Sequence, residues 1–277
     1  SLVEMMETES NDKVICGLQL NAVIIANEMI PWVNEEQRRR YAEAILKTFK
    51  NPSSKVYQPG AQLLGICLNQ IVKEENSQEV LARVKDNLKR MERDRSKTDL
   101  LMELLYCIHK GYPMILDSFM SRISESIGKA VRKTKCIYLE MFLARLEILH
   151  DHELYRTLEN FKIRYLLKQT EYQKLALHIV NKSIDKIQSI DFMKFFEELV
   201  HLLSSSHPDA ETRTILYEIM INATEKFKDN SQDTHRTMSI ILKGFSDPDE
   251  HIQNRVLNFL TQNGGLPSSY ALRFQQL

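Results

Sequence analysis

The sequence predicts an all-α fold built from antiparallel helix pairs in tandem, and three observations predict it. Glycine and proline are scarce, 8 and 7 in 277 residues, far fewer than the turns of a strand-rich chain of this length need. Apolar residues recur at helical spacing nearly throughout, and no segment alternates as a strand does. A helix stop followed by proline recurs at a spacing of about forty residues.

The segment 35–50 shows the local pattern. Tyr41, Ile45, Leu46 and Phe49 fall on one helix face. Asn34 is placed to cap it. Glu35 and Glu36 suit the positive end of its dipole, and Lys47 and Lys50 the negative end. Asn51-Pro52 then stops it, because the proline ring cannot continue the hydrogen-bond ladder. The same pattern predicts helices over 12–29, 54–73, 77–93, 97–110, 114–127, 133–149, 152–158, 170–186, 190–204, 209–227, 232–244 and 249–262. The connections are short and polar, as in Ser204-Ser205-Ser206-His207-Pro208, and short connections make neighbours antiparallel.

The stops before Pro52, Pro208 and Pro248 are each followed by an apolar-periodic helix, which predicts that these prolines sit in the first turn. Pro208 and Pro248 are 40 residues apart, and Pro52 precedes Pro208 by 156, four units of 39. HEAT and armadillo units run to about 40–47 residues. The fold expected is therefore an all-α, HEAT- or armadillo-like α-solenoid. It would form a single array over 1–277, with an irregular C-terminal edge at 264–277. No helix pair of such an array buries its apolar stripe alone, so each stacks on its neighbours.

Charge balances, with 37 Lys+Arg against 37 Asp+Glu, so overall electrostatics does not point to nucleic acid. Cys16, Cys67, Cys107 and Cys136 lie apart among apolar neighbours, which predicts buried, reduced thiols. No CxxC pair offers a zinc site. The longest apolar stretch, 14–30, is broken by Gln19, Asn21, Asn27 and Glu28, and no membrane contact is expected. A start without a basic leader or Met and an unfinished helix at Arg273-Phe274-Gln275-Gln276-Leu277 read as a fragment of something larger.

Catalytic signatures are absent. The sequence has no phosphate-binding glycine loop and no Gly-x-Ser-x-Gly elbow. Nor does it have a kinase catalytic loop, and its adjacent glycines, Gly264-Gly265, follow the last helix. The expectation is no catalytic residue, no metal and no cofactor. His150 and His152 flank Asp151 in a turn, while His178 and His201 lie in apolar helices and are expected to be partly buried. Arg38 to Arg40 and the run Lys85 to Arg95 are basic, the latter with interleaved acids that suit a salt-bridged face. Lys129, Arg132, Lys133 and Lys135 have no acid among them and form the candidate contact for a phosphate or acidic partner. The bland alternative is a solvated loop, because no stacking aromatics accompany them.

Several stretches resemble one family. They are Arg40-Tyr41 through Pro59, Ser206-His207-Pro208 with Arg213, Tyr217, Ile219 and Met220, Asp229-Asn230-Ser231-Gln232 leading to Ile241-Leu242-Lys243-Gly244, and Arg255 with Asn258-Phe259 and Leu266-Pro267-Ser268. In order and spacing they resemble the middle HEAT region of the DNA-dependent protein kinase catalytic subunit family, among the lipid-kinase-like protein kinases. Leu260, Gly264-Gly265 and the run Ser269-Tyr270-Ala271-Leu272 depart from that pattern. The resemblance implies a non-catalytic scaffold segment of a nuclear serine/threonine kinase. Such a kinase acts in double-strand-break repair by non-homologous end joining, with its kinase domain outside this segment. It implies the Ku heterodimer and DNA ends as partners, besides neighbouring repeats of the same chain. Whether this segment itself touches DNA stays open. Kinases of this class prefer Ser/Thr-Gln sites, which makes Ser77, Ser231 and Thr261 candidate phosphorylation sites. The alternative reading is a generic HEAT adaptor for transport or assembly.

Overall fold

The computed structural model describes residues 1–7, 13–49, 56–73, 77–147, 149–204 and 208–262. Among them the chain is helical, without strands. The expected edge at 264–277, Pro52 and His207 lie outside the described residues. The chain divides into two compact units, Ser1–Arg145 and Leu146–Leu277.

The first unit holds α1 (Leu2–Glu7), α2 (Lys13–Met29), α3 (Glu35–Thr48), α4 (Tyr57–Ile71), α5 (Ser77–Arg93), α6 (Thr98–His109), α7 (Met120–Ser126) and α8 (Arg132–Arg145), with 3-10 turns at Arg95–Lys97 and Pro113–Ser118. α1 packs on α2 and α3, α2 on α4, α3 on α4 and α5, and α4 and α5 on α6, which packs on α8. From α1 to α6, and again from α6 to α8, helices two apart in the chain meet, as in a stacked repeat. Asn34 caps α3 as expected, accepting from Gln37 N at 2.9 Å, and Gln37 completes a capping box. Tyr41, Ile45 and Phe49 are buried. α4 and the end of α6 approach at backbone distance. A Cβ on Gly65 would lie 2.3 Å from the Ile108 carbonyl oxygen, and one on Gly111 would lie 2.6 Å from Gly65. Only glycine permits this backbone contact.

The second unit holds α9 (Asp151–Asn160), α10 (Ile163–Leu167), α11 (Gln173–Ser183), α12 (Ser189–Ser204), α13 (Ala210–Lys226), α14 (Ser231–Ile241) and α15 (Glu250–Gln262), with a 3-10 turn at Leu242–Ser246. α10 packs on α9, α11 and α12, α11 on α13, α12 on α13 and α14, and α13 on α14 and α15. Phe192, Phe195 and Phe196 are core, as their helical spacing predicts. Arg213 on α13 holds Asp247, just before α15, through Nε at 2.9 Å and Nη2 at 3.0 Å, and also donates to the Pro208 carbonyl at 2.7 Å.

Several expectations need correction. The single helix expected at 114–127 is a 3-10 turn followed by α7, because Pro113 opens the turn and Phe119 leaves helical geometry at φ −124. The helix expected over 232–244 ends at Ile241 and tightens to a 3-10 turn. α1 and α10 were not predicted. At six and five residues they are too short to show a period, and α10 starts at Lys162, held left-handed at φ 54 without a glycine to mark it. Pro208 and Pro248 stand outside their helices, one place before Asp209 and Asp249. Asp209 accepts from Thr212 N at 2.7 Å and Asp249 from His251 N at 2.8 Å, so the aspartates do the capping. The thiols are not uniformly buried: Cys67 and Cys107 are, whereas Cys16 and Cys136 are half-buried.

The repeat itself shows in the polar contacts. Lys47–Glu7 and Arg83–Glu43 each span 40 residues, Tyr57–Glu103 spans 46 and Tyr106–Glu140 spans 34. In the second unit Arg164–Glu198 spans 34, Asn222–Asn181 spans 41 and Lys226 to the Asp185 carbonyl spans 41. A separation near one repeat is what stacking of successive helix pairs produces. A second recurring device went unread in the sequence. The fourth residue of α3, α13 and α15 (Arg38, Arg213 and Gln253) reaches back to a carbonyl before its helix, at 2.7, 2.7 and 2.6 Å.

Candidate functional site

The basic cluster occupies the turn between α7 and α8 and the first turn of α8. Lys129 N donates to Ser126 O at 3.1 Å and Lys135 N to Val131 O at 2.9 Å, which fixes the turn onto both helices. Lys129, Arg132 and Lys133 are exposed and Lys135 is half-buried. The first turn of α8 carries no acid, so its cations sit at the positive end of a helix dipole, where an anion is favoured. A groove of about 420 Å³ runs beside the turn, and of the four cations only Lys129 lines it. Asp99 and Glu125 share that lining with Arg122, so the groove balances its charge. Buried Tyr138 closes it, its phenol pushed above the ordinary value by burial and then by the Asp99 charge. The arrangement offers an exposed cationic edge for surface contact with phosphate or carboxylate. It has no convergent donors that would fix a small anion.

The structure leaves the Ser/Thr-Gln residues apart. Ser77 is the first residue of α5. Ser231, the first residue of α14, is exposed beside its cap Asn230. Thr261, near the end of α15, is exposed and donates to the Asn258 carbonyl at 2.9 Å. Ion pairs stand at the run Arg38 to Arg40 and just ahead of the run Lys85 to Arg95, whose Asp94 takes Lys97 at 3.7 Å. Arg39 pairs with Glu35, Arg40 with Glu36 at 2.7 Å, and Arg83 with both Glu79 and Glu43.

His178 and His201 are exposed, contrary to expectation. Among the described residues the buried histidine is His109, tilted against Tyr106 at the end of α6, and burial holds its pKa below the ordinary 6.5. Its apolar stripe, Leu101 to Ile108, was the signal that could have found it. Burial pushes the Cys67 thiol up to about 12, which keeps it from acting as a nucleophile at neutral pH. Among the described residues no group of three or more His, Cys, Asp or Glu is placed to hold a metal. Among them too, no helix is long and apolar enough to cross a membrane.

The sequence matches the family described as "DNA-PKcs, CC5" over residues 2–277. The chain belongs to that family. It is 25% identical over 272 residues to the DNA-dependent protein kinase catalytic subunits of Canis lupus familiaris and Mus musculus, covering 91% of this chain. It is 26% identical over 276 residues to that of Gallus gallus, covering 94%. In each case the chain spans 6% of the relative's length. The region matched is a helical one rather than the kinase domain. The crystal structure of an engineered protein aligns over 94% of this chain and 72% of its own, at TM-score 0.51 and 13% identity, a likeness of fold alone.

Proposed function

We propose that this chain is a non-catalytic HEAT-repeat scaffold segment of a DNA-dependent protein kinase catalytic subunit-like protein, a nuclear serine/threonine kinase of double-strand-break repair by non-homologous end joining. One observation carries the reading: an end-to-end family match that takes up only 6% of each relative. The segment's work is then geometric. Its stacked pairs hold neighbouring repeats in position around the Ku heterodimer and DNA ends, and chemistry takes place elsewhere in the parent protein. Lys129, Arg132, Lys133 and Lys135 are the edge through which it would meet phosphate, and Ser77, Ser231 and Thr261 are its acceptors for Ser/Thr-Gln phosphorylation.

The test uses the native protein, isolated with an antibody raised against this chain and assayed on a Ser-Gln peptide. A very large polypeptide whose kinase activity rises with linear duplex DNA is the expected result. A small parent chain without activity would sink the reading and leave a HEAT adaptor. In the active protein, Lys129→Glu with Lys133→Glu is expected to lower DNA-stimulated activity at low salt and less at high salt, because counterion release drives phosphate contacts.

A further inference from the structure

α2 differs from the helices that follow it in its own layer. α4 packs between α2 and α6, and α6 between α4 and α8. The exposed positions of α4 are Gln58, Gln62, Asn69 and Gln70, and that of α6 is Asp99, all polar. α2 buries Ala22, Val23 and Ala26, yet it also exposes Leu18, Ile24, Ile25 and Met29 at 40–50%. Leu18, Ile25 and Met29 are spaced seven and four residues apart, one helical stripe. It runs on to Trp32, the single tryptophan of the chain, which is 87% exposed in the turn after α2. A helix apolar on more than one face is a helix meant to be covered on more than one face, and tryptophan is the side chain most enriched where interfaces concentrate their energy.

We infer that the Leu18–Ile25–Met29–Trp32 stripe is the seat of a further helix pair of the parent polypeptide, stacked on α2 as α2 stacks on α4. The inference rests on the proposal that the chain is part of a longer protein. Three features select this occupant: the relatives' length, the two-sided packing of α4 and α6, and the polar exposed faces those helices keep once covered. A cofactor or small ligand would need a concave site, whereas this stripe lies along a helix.

Trp32 reports on the seat directly. In the isolated 277-residue chain its emission is expected to be that of a solvated indole, strongly quenched by acrylamide. In the native parent protein, the difference between wild type and Trp32→Phe is expected to show a blue-shifted indole protected from acrylamide. Leu18→Gln with Ile25→Gln should return that emission to the solvated position in the parent while leaving the isolated chain's melting curve unchanged. A solvated Trp32 in a confirmed large parent would overturn the seat and leave the scaffold reading standing. A concentration-dependent blue shift of the isolated chain, with dimers in sedimentation, would assign the stripe to a second copy and overturn it too. Absence of any large parent would overturn both.

Discussion

The α4–α6 contact of the first unit and the α13–α15 contact of the second each join helices two apart in the chain, and they do so by opposite means. Between α4 and α6 the backbones touch, because Gly65 and Gly111 offer no side chain. Between α13 and α15 the spacing is filled by Arg213 and Asp247, whose side chains are 18% and 4% exposed. At its glycines the first contact tolerates no added atom, while at the start of α4 Tyr57 donates to Glu103 of α6. The second depends on both partners of a buried charge pair being present. A helical repeat can thus keep its period while the physics at the joint changes.

Removing one half of the polar joint should have the largest effect. Asp247→Ala leaves Arg213 largely buried without its carboxylate, and such truncations cost about 3–5 kcal/mol. Urea unfolding of the chain measures it, and a loss under 1 kcal/mol would mean that the pair is solvated. Gly65→Ala comes next, at about 3 kcal/mol, the upper part of the overpacking range, because its Cβ would meet backbone that cannot rotate away. Gly60→Ala is its control. That Cβ would rest 3.4 Å from Ile45 Cγ2, so the change is expected to be neutral or stabilising by up to about 1 kcal/mol. Equal losses at both glycines would dismiss the close approach as the cause.

Asp209→Ala should cost about 1 kcal/mol, the usual worth of a helix N-cap. The Thr212 amide and hydroxyl, then Lys174, hold the Asp209 carboxyl below its ordinary value of 3.8. Its contribution is therefore present above that value and is lost as pH falls through the lower folded one. The smallest effect belongs to His109. Below about pH 6.5 the unfolded chain takes up a proton that the buried imidazole resists, so stability falls with pH there and levels off above it. His109→Phe, which keeps the ring against Tyr106, should flatten melting temperature between pH 7.5 and 5.5. An unchanged slope would assign the pH response elsewhere.

What could be read in the sequence follows from the length over which each signal accumulates. Long helices such as α3 and α5 announce themselves because several turns repeat one stripe and because Asn34 and the acids after it mark a start. α10 is five residues long and begins at a left-handed lysine, so neither period nor glycine betrays it. The repeat was legible through Pro208 and Pro248, although the capping is done by the aspartates behind them. Joints were not legible at all. Arg213 and Asp247, or Gly65 and Gly111, stand 34 and 46 residues apart, and a single sequence records no pairing across that distance. The candidate basic site was found because its cations are adjacent. Asp99 and Glu125, which balance the groove beside it, were hidden for the same reason that the joints were.

The reach of the side-chain hydrogen bonds has a mechanical meaning. The polar contacts between repeats described above span 34 to 46 positions, the distance from one repeat to its neighbour. Under load such contacts pass force from one repeat to the next. Each pair yields when its own joint yields and lengthens the molecule by one repeat at a time. The joint at Arg213–Asp247 should then appear as a force peak higher than its neighbours, and the array as a spring whose stiffness is written joint by joint.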